Sequence, residues 1–493
     1  MGMWTASPDG RGVALRCLIV TALGASVLLL GDRALLAQEN VDSQPGEEQP
    51  APAPEDQDEP ETYSGSERVF GNPTDIEQDL EGSLPKRDSV LPQLKPQGWA
   101  NLKKKLYEDH GLMLGLSYQA LVQHASRSVT DQDTAAGGWV LLEAKWEAIR
   151  RDRDFEGSIV MGVDGRHTLG GNAVPGIFRL DTGSLWATDT GWFEWDPYVA
   201  VLFWEQWFKK DRFVLRLGQL GSIAVLDFFR FGDFRTSFSN SQLSNPAALI
   251  PFGPPGPGLS FKWWPTAGPD PSAPPEEPEE EQAAHPDAMP QQTSARSELY
   301  VVGTVTDINA PVGEWDWSRL TEYGQIFAGA EIGMNWRRGE GDFDHAHLTL
   351  WYGDKKDTAP YLTDSGWGFK VHGSKQWGSW VGFANYGYNN AYGGGFGFTN
   401  ARQAVNAGFG YQKPLGINGE IAMALSWAEP LDRPDPILGI ESDRNQYGLE
   451  ANWKILLTPD LWITPGVQLI WEPTFNPSTD FIAIPQLKFR VFF

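Results

Sequence analysis

The final 36 residues of the chain, 458–493, constrain its fold more than any other segment. A turn at 458–460 is followed by an alternating run at 461–471, a loop, and a second alternating run at 481–493. In the second run one parity carries Gln486, Lys488 and Arg490, and the other is apolar: Phe481, Ala483, Leu487, Phe489, Val491 and Phe493. Because strand side chains alternate between two faces, one face is apolar and the other is polar and cationic. An apolar face that runs on to a last aromatic residue is typical of the closing strand of a barrel with lipid outside and water inside.

The same alternation predicts fourteen strands before these two runs, which makes an even total of sixteen. The number is typical of bacterial outer-membrane barrels, and each segment is close to the length that a tilted membrane strand needs. The fold class is therefore all-β, a transmembrane antiparallel barrel of about 16 strands. The predicted strands are 112–124, 138–149, 155–164, 197–208, 212–221, 257–264, 297–306, 326–337, 344–352, 366–374, 377–388, 405–413, 418–428, 446–457, 461–471 and 481–493.

The connections between the predicted strands alternate between short and long, as the two ends of an outer-membrane barrel do. The short links are 150–154, 209–211, 338–342, 375–376, 414–417 and 458–460. One link breaks the rhythm: residues 265–296 form an acidic, proline-rich insert. An even strand count places this insert on the periplasmic side, together with the short turns.

The parity of charged residues predicts the lumen. A Lys or Arg that faces lipid at mid-depth costs about 2–4 kcal/mol, so the charged face of each strand points inward. One strand is the weak case, because both faces of 197–208 are apolar around its middle. The predicted lumen wall includes Glu143, Lys145, Arg212, Arg216, Glu450, Lys454, Lys488 and Arg490.

The N-terminal hundred residues read as targeting and spacer sequence. Residues 1–37 resemble a cleaved secretory signal, with two arginines before a short uncharged run and a plausible cleavage site after Ala37. Residues 38–97 form a disordered, acidic, proline-rich linker. The helical spacing of Trp99, Leu102 and Leu106 predicts a short amphipathic helix that Gly111 ends. The barrel then occupies 98–493.

Composition excludes several classes of function. The net charge is -25, and the linker and the insert carry most of it, so no basic patch supports nucleic-acid binding. The only cysteine, Cys17, lies in the predicted signal, which excludes disulfides and thiolate chemistry in the mature protein. The 22 Trp and 26 Phe suit the aromatic girdles of a membrane barrel.

An ordered series of short motifs resembles the bacterial carbohydrate-selective porins of the OprB family. The series begins in the entry helix, continues at 203–206 and 215–220, and includes 238–241 and the Pro/Gly-rich stretch 246–258. It resumes at 457–459 and ends on Phe493. The similarity covers roughly 98–493 and leaves the acidic linker outside.

The resemblance implies a sixteen-stranded barrel whose third external loop folds inward and narrows the pore. Among the long connections between the predicted strands, the third along the chain is 221–256. This segment also carries much of the resemblance. Its charged and aromatic residues suit a sugar constriction, because sugars present hydroxyls at the ring edge and C–H groups on the ring face. The predicted constriction residues are Arg230, Arg235, Asp227, Asp233, Phe228, Phe229, Phe231, Phe234 and Asn240.

Two interpretations remain open for the phenylalanines of this loop. They either line the pore as stacking faces or anchor the loop on the barrel wall. For Arg230 and Arg235 we expect pore exposure, since an unpaired buried guanidinium is costly.

Other candidate sites are weaker. His345 and His347 share a strand face, but no third metal ligand is evident nearby, so two lumen-facing polar residues is the simpler interpretation. Asp164 and His167 lack a nucleophile or a second carboxylate beside them. We therefore predict no enzyme activity, no cofactor and no metal.

The sequence thus predicts passive, selective diffusion of mono- or oligosaccharides across the outer membrane, with the N-terminal tail in the periplasm. The expected partners are sugars and outer-membrane lipid, with a homo-oligomer as an open possibility and no nucleic acid. Two alternatives stay open: a general or differently selective porin, and a barrel-anchored tether whose acidic tail contacts the cell wall.

Overall fold

The computed structural model describes residues 89–92, 97–150, 155–208, 212–222, 225–227, 229–244, 246, 248–266, 296–339, 342–356, 364–394 and 398–493. The predicted signal peptide, most of the predicted linker and residues 267–295 of the insert lie outside the described residues.

Sixteen strands follow one helix, α1 (Gln97–His110). Two short helices lie between strands, α2 (Arg179–Thr182) and α3 (Ser318–Tyr323). The strands are β1 (Leu112–His124), β2 (Thr134–Arg150), β3 (Phe155–Thr168), β4 (Trp195–Phe208), β5 (Phe213–Leu220), β6 (Gly256–Trp263), β7 (Arg296–Asp307), β8 (Ile326–Gly339), β9 (Asp342–Gly353), β10 (Gly366–Trp377), β11 (Trp380–Asn389), β12 (Ala401–Gln412), β13 (Gly419–Pro430), β14 (Gln446–Thr458), β15 (Leu461–Trp471) and β16 (Phe481–Phe492).

Each strand pairs antiparallel with its neighbours in sequence, and β1 pairs with β16 to close the sheet. The closing register runs from Ser117 opposite Phe492 to Gln123 opposite Gln486. The prediction of a sixteen-stranded antiparallel barrel is confirmed. Closure satisfies the backbone N–H and C=O groups of both terminal strands, which lipid could not do.

The two ends of the barrel differ in the length of their connections. Turns such as 378–379 and 459–460 lie at one end, which we call the turn end, and connections such as 169–194 and 221–255 lie at the other, the loop end. The β6–β7 link joins strand ends that lie at the turn end.

One predicted link is wrong. Lys375 and Gln376 belong to β10, and the turn is at Gly378 and Ser379 instead. Gly378 has φ 57°, a left-handed backbone that glycine adopts without strain. The Lys375 ammonium lies 5.6 Å from the centroid of the Trp377 ring, near the end of the strand.

The barrel carries apolar side chains outside and polar side chains inside. In β16 the inward residues Gln486, Lys488 and Arg490 are buried, whereas Leu487 and Phe489 are exposed on the outer face. The same reversal of the soluble pattern holds around the sheet, because lipid replaces water outside. Other exposed outward residues include Val140, Leu142, Trp146, Leu217, Leu259, Ile332, Leu350, Val371, Val405, Leu425 and Tyr447.

Strand β4 has apolar residues on both faces for a structural reason. Its inward Val201 and Phe203 pack with Val160 and Met113 of neighbouring strands, which makes a small apolar cluster on the lumen side. The Arg216 guanidinium lies over the Phe203 ring at 5.7 Å. The inner wall is therefore not uniformly polar.

Helix α1 ties the start of the barrel to its end. The Lys103 ammonium donates to the carbonyl oxygen of Phe493 at 3.0 Å. Farther upstream, the N–H groups of Val90 and Leu91 donate to carbonyls at the end of β14. The predicted helix is confirmed, and no helix within the described ranges is both long and apolar enough to cross a bilayer.

Candidate functional site: the lumen and its inward loops

The β5–β6 loop (residues 221–255) folds into the lumen. Inward Glu450 of β14 accepts hydrogen bonds from the backbone N–H groups of Ser239 and Asn240, both at 2.8 Å. Inward Lys488 of β16 donates to the carbonyl oxygens of Phe234, at 2.8 Å, and Ser237. Two wall charges of opposite sign thus hold the backbone of the loop, one through its donors and one through its acceptors.

The first part of the loop is held on the opposite side of the wall. The Asp227 carboxylate contacts His347 Nε2 at 3.0 Å and the Lys370 ammonium, and its backbone N–H donates to Glu331 at 2.6 Å. Burial alone would raise the pKa of Asp227, but Lys370 and His347 outweigh burial and hold that pKa below its usual range. The loop therefore spans the lumen between strands β8–β10 and strands β14–β16.

Most of the predicted aromatic residues of the loop pack against the wall. Phe229, Phe231 and the neighbouring Phe238 are buried in one cluster with Phe383 of β11. Phe234 stacks on Trp139 of β2, with ring centroids 6.0 Å apart and planes at 10°. Of the two interpretations left open, these positions agree with wall anchoring. Phe228 lies outside the described residues.

Arg235 is buried, contrary to the expected pore exposure. Its Nε donates to Asp233 at 3.0 Å, and both side chains are covered. The pKa of Asp233, which burial would raise, is lowered below its usual range by Arg235 and Arg490. The cost of a buried guanidinium is thus offset by a carboxylate two residues away and not by water.

Arg230 is the member of the predicted set that stays partly open, with 17% of its side chain exposed. Its Nε donates to Glu420 of β13 at 2.9 Å, and with the Gln412 amide oriented to fit, its terminal nitrogens donate to that amide oxygen. Asn240 serves the loop itself: its side-chain oxygen accepts from the N–H of Gln242 at 2.9 Å.

The lumen-wall residues point inward with defined partners. Lys145 and Arg216 both contact Glu205 of β4, at 3.1 and 2.7 Å. The Arg490 guanidinium lies over the Phe492 ring at 4.4 Å, and the Lys454 ammonium lies near the Trp462 ring at 5.6 Å. Arg212 is exposed just before β5, at the turn end. Glu143, Lys454 and Arg490 are almost fully buried.

A second loop, β3–β4 (residues 169–194), also folds inward, which was not predicted from the sequence. The Thr188 carbonyl accepts from Gln123 at 3.1 Å and from Gln468 at 2.7 Å, so strands β1 and β15 hold the loop. The Leu185 N–H donates to Gln446 of β14 at 2.8 Å. These wall partners are amides far away in sequence, so no local signal could have revealed them.

The ends of the second loop are fixed by arginines. Arg179 and Asp435 form an ion pair at 2.9 Å in which neither side chain has any exposed surface. Arg166 of β3 is held between the rings of Trp139 and Trp195, at 3.8 and 4.0 Å, while its guanidinium donates to the Gly191 carbonyl. A guanidinium between two indoles gains from both faces and cannot move freely.

The two inward loops touch each other. The Ser241 N–H donates to the Ala187 carbonyl at 3.0 Å. Trp192 meets Phe234 edge-on, with centroids 6.1 Å apart. A Cβ added at Gly191 would collide with the Phe234 ring, so glycine is required at this crossing.

A buried acid sits near this contact. Asp189 is completely buried, and burial raises its pKa to about 7. One of its carboxylate oxygens accepts from the Gly191 N–H at 2.6 Å, and the other has no hydrogen-bond partner among the described residues. This group changes charge near neutral pH.

The structure also adds a third histidine to the two that share a strand face. His372 of β10 stacks on His347, with centroids 4.9 Å apart and planes at 12°. No local sequence pattern indicates this third histidine, because β10 must first be paired in register with β9. Within the described part of the chain, no three His, Cys, Asp or Glu side chains are arranged to hold a metal ion.

Fold and lumen together define the class of protein as a porin. A closed sixteen-stranded barrel with a lipid-compatible outside, a charged inside and inward-folded loops is a membrane pore, and barrels of this kind lie in outer membranes.

Comparison with known proteins agrees with this class. Residues 369–489 match the family model described as "Carbohydrate-selective porin, OprB family", which confirms, for that segment, the resemblance noted from the sequence. None of the curated protein sequences matches the chain.

Solved structures show the same fold at low sequence identity. A high-pH structure of Pseudomonas putida OprB superposes with TM-score 0.55 and 13% identity, over 80% of this chain and 97% of that one. A low-pH structure of the same protein gives TM-score 0.43 and 12% identity over 83% and 100% of the two chains. A mutant of the Rh. blastica porin gives 0.38 and 10% over 78% and 100%. The fold similarity rests on the first of these.

Proposed function

We propose that this porin lets neutral saccharides diffuse passively and selectively across the outer membrane. The observation that carries the proposal is the partly open cluster of Arg230, Glu420 and Gln412, where the inward loop meets the wall. Together they offer guanidinium donors, carboxylate acceptors and an amide, the groups that hydrogen-bond to sugar hydroxyls.

The pairing of charges favours neutral solutes over ions. Arg230 faces Glu420, and on another part of the wall Lys145 and Arg216 share Glu205. A passing ion meets both signs within a few ångströms, whereas a hydroxyl can accept from the cation and donate to the anion. Such contacts are individually weak, which allows release as well as entry.

The aromatic residues have a different part in the proposal. Because Phe229, Phe231 and Phe234 are covered, they fix the shape of the pore and do not present stacking faces to the sugar. Selectivity would then come from the width left between the loop and the wall and from the polar groups at its edge.

A liposome-swelling assay with the full-length protein tests the proposal. Uptake of a panel of neutral mono- and oligosaccharides would be compared for wild type, Arg230→Ala and the control Arg433→Ala, an exposed arginine of an external loop that pairs with Asp364. Loss of a hydrogen bond to a charged group is worth about 1.5–3 kcal/mol at most, so we expect the spread of rates across the panel to narrow about threefold or more in Arg230→Ala. The control should match wild type.

The same assay separates the alternatives. Rates that follow molecular size alone, in wild type as in Arg230→Ala, would favour a general porin. No permeability for any sugar would contradict the pore and favour the tether.

We also propose that the turn end faces the periplasm, which places the predicted acidic tail and the insert there. The short connections at that end support this orientation. Labelling of Ser379→Cys by a membrane-impermeant thiol reagent should require a permeabilised outer membrane; labelling of intact cells would reverse the orientation.

A further inference from the structure

Three of the chain's seven histidines meet on the inner wall beneath the β5–β6 loop. His345 and His347 lie on β9, and His372 lies opposite His347 on β10. All three are buried, and the ring of loop residue Phe229 lies 4.6 Å from that of His372. The function proposed above gives none of these imidazoles a role.

The hydrogen bonds assign a neutral state to the two β9 imidazoles. Tyr300 donates its hydroxyl proton to Glu331 at 2.9 Å, so its oxygen accepts from His345 Nε2 at 2.8 Å. The same His345 Nε2–H lies 3.3 Å from His347 Nδ1, which therefore accepts. His347 Nε2–H then donates to Asp227. This proton arrangement follows from the network.

A further proton on His347 would break this arrangement. Its only site is Nδ1, which already faces the N–H of His345 at 3.3 Å. Two donors would then point at each other inside a buried network, which costs at least the lost hydrogen bond.

A proton on His372 would be equally unfavourable. Neither of its ring nitrogens has a hydrogen-bond partner among the described residues, and the ring is held between aromatic neighbours. An imidazolium there would be a buried charge with no counter-ion in the described part of the chain.

Both carboxylates that the described residues place beside the cluster already have partners. Asp227 already binds Lys370 as well as His347. Glu331 already accepts from Tyr300, from Thr349 at 2.6 Å and from the Asp227 N–H.

The remaining neighbours do not help an imidazolium either. The Lys262 ammonium of β6 lies over the Tyr300 ring at 4.9 Å, which adds positive charge on that side. The residues paired with the histidines on the flanking strands, Asn335 and Asn385, are neutral.

The loop is under strain at this contact. Asp227 has φ 62°, a left-handed conformation that costs a non-glycine residue about 1 kcal/mol or more. It persists because the side chain and the N–H of Asp227 are both bound to the wall. Weakening these bonds would release the strain as well.

We propose that His345, His347 and His372 form an acid-sensitive latch that seats the β5–β6 loop on the barrel wall at neutral pH and releases it when the imidazoles gain protons. The inference rests on the proposed pore function. The geometry determines how loop seating depends on pH. The seated cluster disfavours extra protons, whereas imidazoles that reach water accept them. The seated state therefore weakens as pH falls through the range near 6.5 where free imidazole titrates. A loop released from the wall is free to move within the lumen, where it obstructs flow.

Single-channel recording of the full-length protein in planar bilayers, from pH 7.5 to 4.5, tests the latch. We expect the fraction of time spent in closed states to rise about tenfold between pH 7.5 and 4.5, the effect of a one-unit difference in proton affinity between the seated and released states. The midpoint should lie near pH 6.

Two variants and a control make the test specific. His347→Gln keeps an amide donor for Asp227 but cannot gain a proton, and His372→Phe keeps the stacked ring. Each should reduce the rise to about threefold or less. His167→Phe changes an exposed histidine outside the cluster and should respond to pH as wild type does.

The outcomes are distinguishable. Conductance that does not depend on pH, a midpoint near 4 as for carboxylates, or a wild-type response in His372→Phe would overturn the latch while leaving the pore intact. Absence of conductance at every pH would instead contradict the proposed function.

Discussion

The two inward loops are held in the barrel by different chemistry. The β5–β6 loop is bound mainly through ionised groups: Glu450 and Lys488 hold its backbone, and Asp227 binds a lysine. The middle of the β3–β4 loop is bound by neutral amides such as Gln446 and Gln468, and it contains a buried acid, Asp189, whose pKa burial raises.

This difference gives the two loops opposite expected responses to pH. The contact of the β5–β6 loop with the histidines weakens in acid. The β3–β4 loop should weaken as the pH rises from 3.8 to about 7, because Asp189 must become charged in a buried site.

The largest expected effect comes from removing the ionic support of the β3–β4 loop. Arg179→Ala leaves the Asp435 carboxylate buried and uncompensated, which costs about 3–5 kcal/mol. Asp435 lies in the connection between β13 and β14. The β3–β4 and β13–β14 connections, both at the loop end, should therefore loosen together. Heat-modifiability of the barrel on gels should show unfolding at a lower temperature. Arg433→Ala, in an exposed pair, should cost under 1 kcal/mol; equal losses in the two variants would refute the assignment.

A smaller effect is expected from the wall acceptor of the β5–β6 loop. Glu450→Gln keeps one acceptor oxygen but loses the charge and one of the two backbone bonds, so the seated loop should lose about 1.5–3 kcal/mol. The barrel itself should stay folded. Current noise in single-channel records is the measurement, and Glu429→Gln, whose partner Arg402 lies near the loop end, is the control. Quiet channels in Glu450→Gln would mean that the aromatic packing alone seats the loop.

The smallest effect concerns Asp189. Its native pKa is about 7 against about 3.8 unfolded, so its contribution is complete below 3.8 and is lost as pH rises to 7. Between pH 6 and pH 7 the loss amounts to about 1 kcal/mol. Asp189→Asn keeps the oxygen that accepts from Gly191 and should remove this pH dependence, measured as stability to heat at the two pH values. An unchanged dependence would locate the titrating group elsewhere.

The barrel could be predicted from the sequence because the signals for each strand are local. Alternation in each strand reports lipid on one side and water on the other, and the sixteen runs could be counted one at a time. The predicted turn at 375–376 was wrong because the polar pair there lies near the end of a strand. The last pair of the β10–β11 hairpin is Trp377 opposite Trp380.

The interior resisted prediction because its contacts are remote. We expected Arg235 to be exposed because an unpaired guanidinium is costly to bury. The structure instead pairs it with Asp233, two residues away, and Arg490 of β16 also acts on that carboxylate. The anchors of the β3–β4 loop lie more than 250 residues away, at Asp435 and Gln446. Such pairs become visible only when the barrel closes and brings strands β14–β16 round to the side of β1–β4.

The pairing of β1 with β16 has a consequence for how the protein assembles. Ser117 must find Phe492, so the pairing of β1 with β16 closes the longest stretch of chain between any two paired strands. Until then two strand edges carry unpaired N–H and C=O groups, which lipid cannot satisfy. Insertion and closure are therefore expected to be one cooperative event, and no single hairpin can leave the finished barrel without exposing two edges at once.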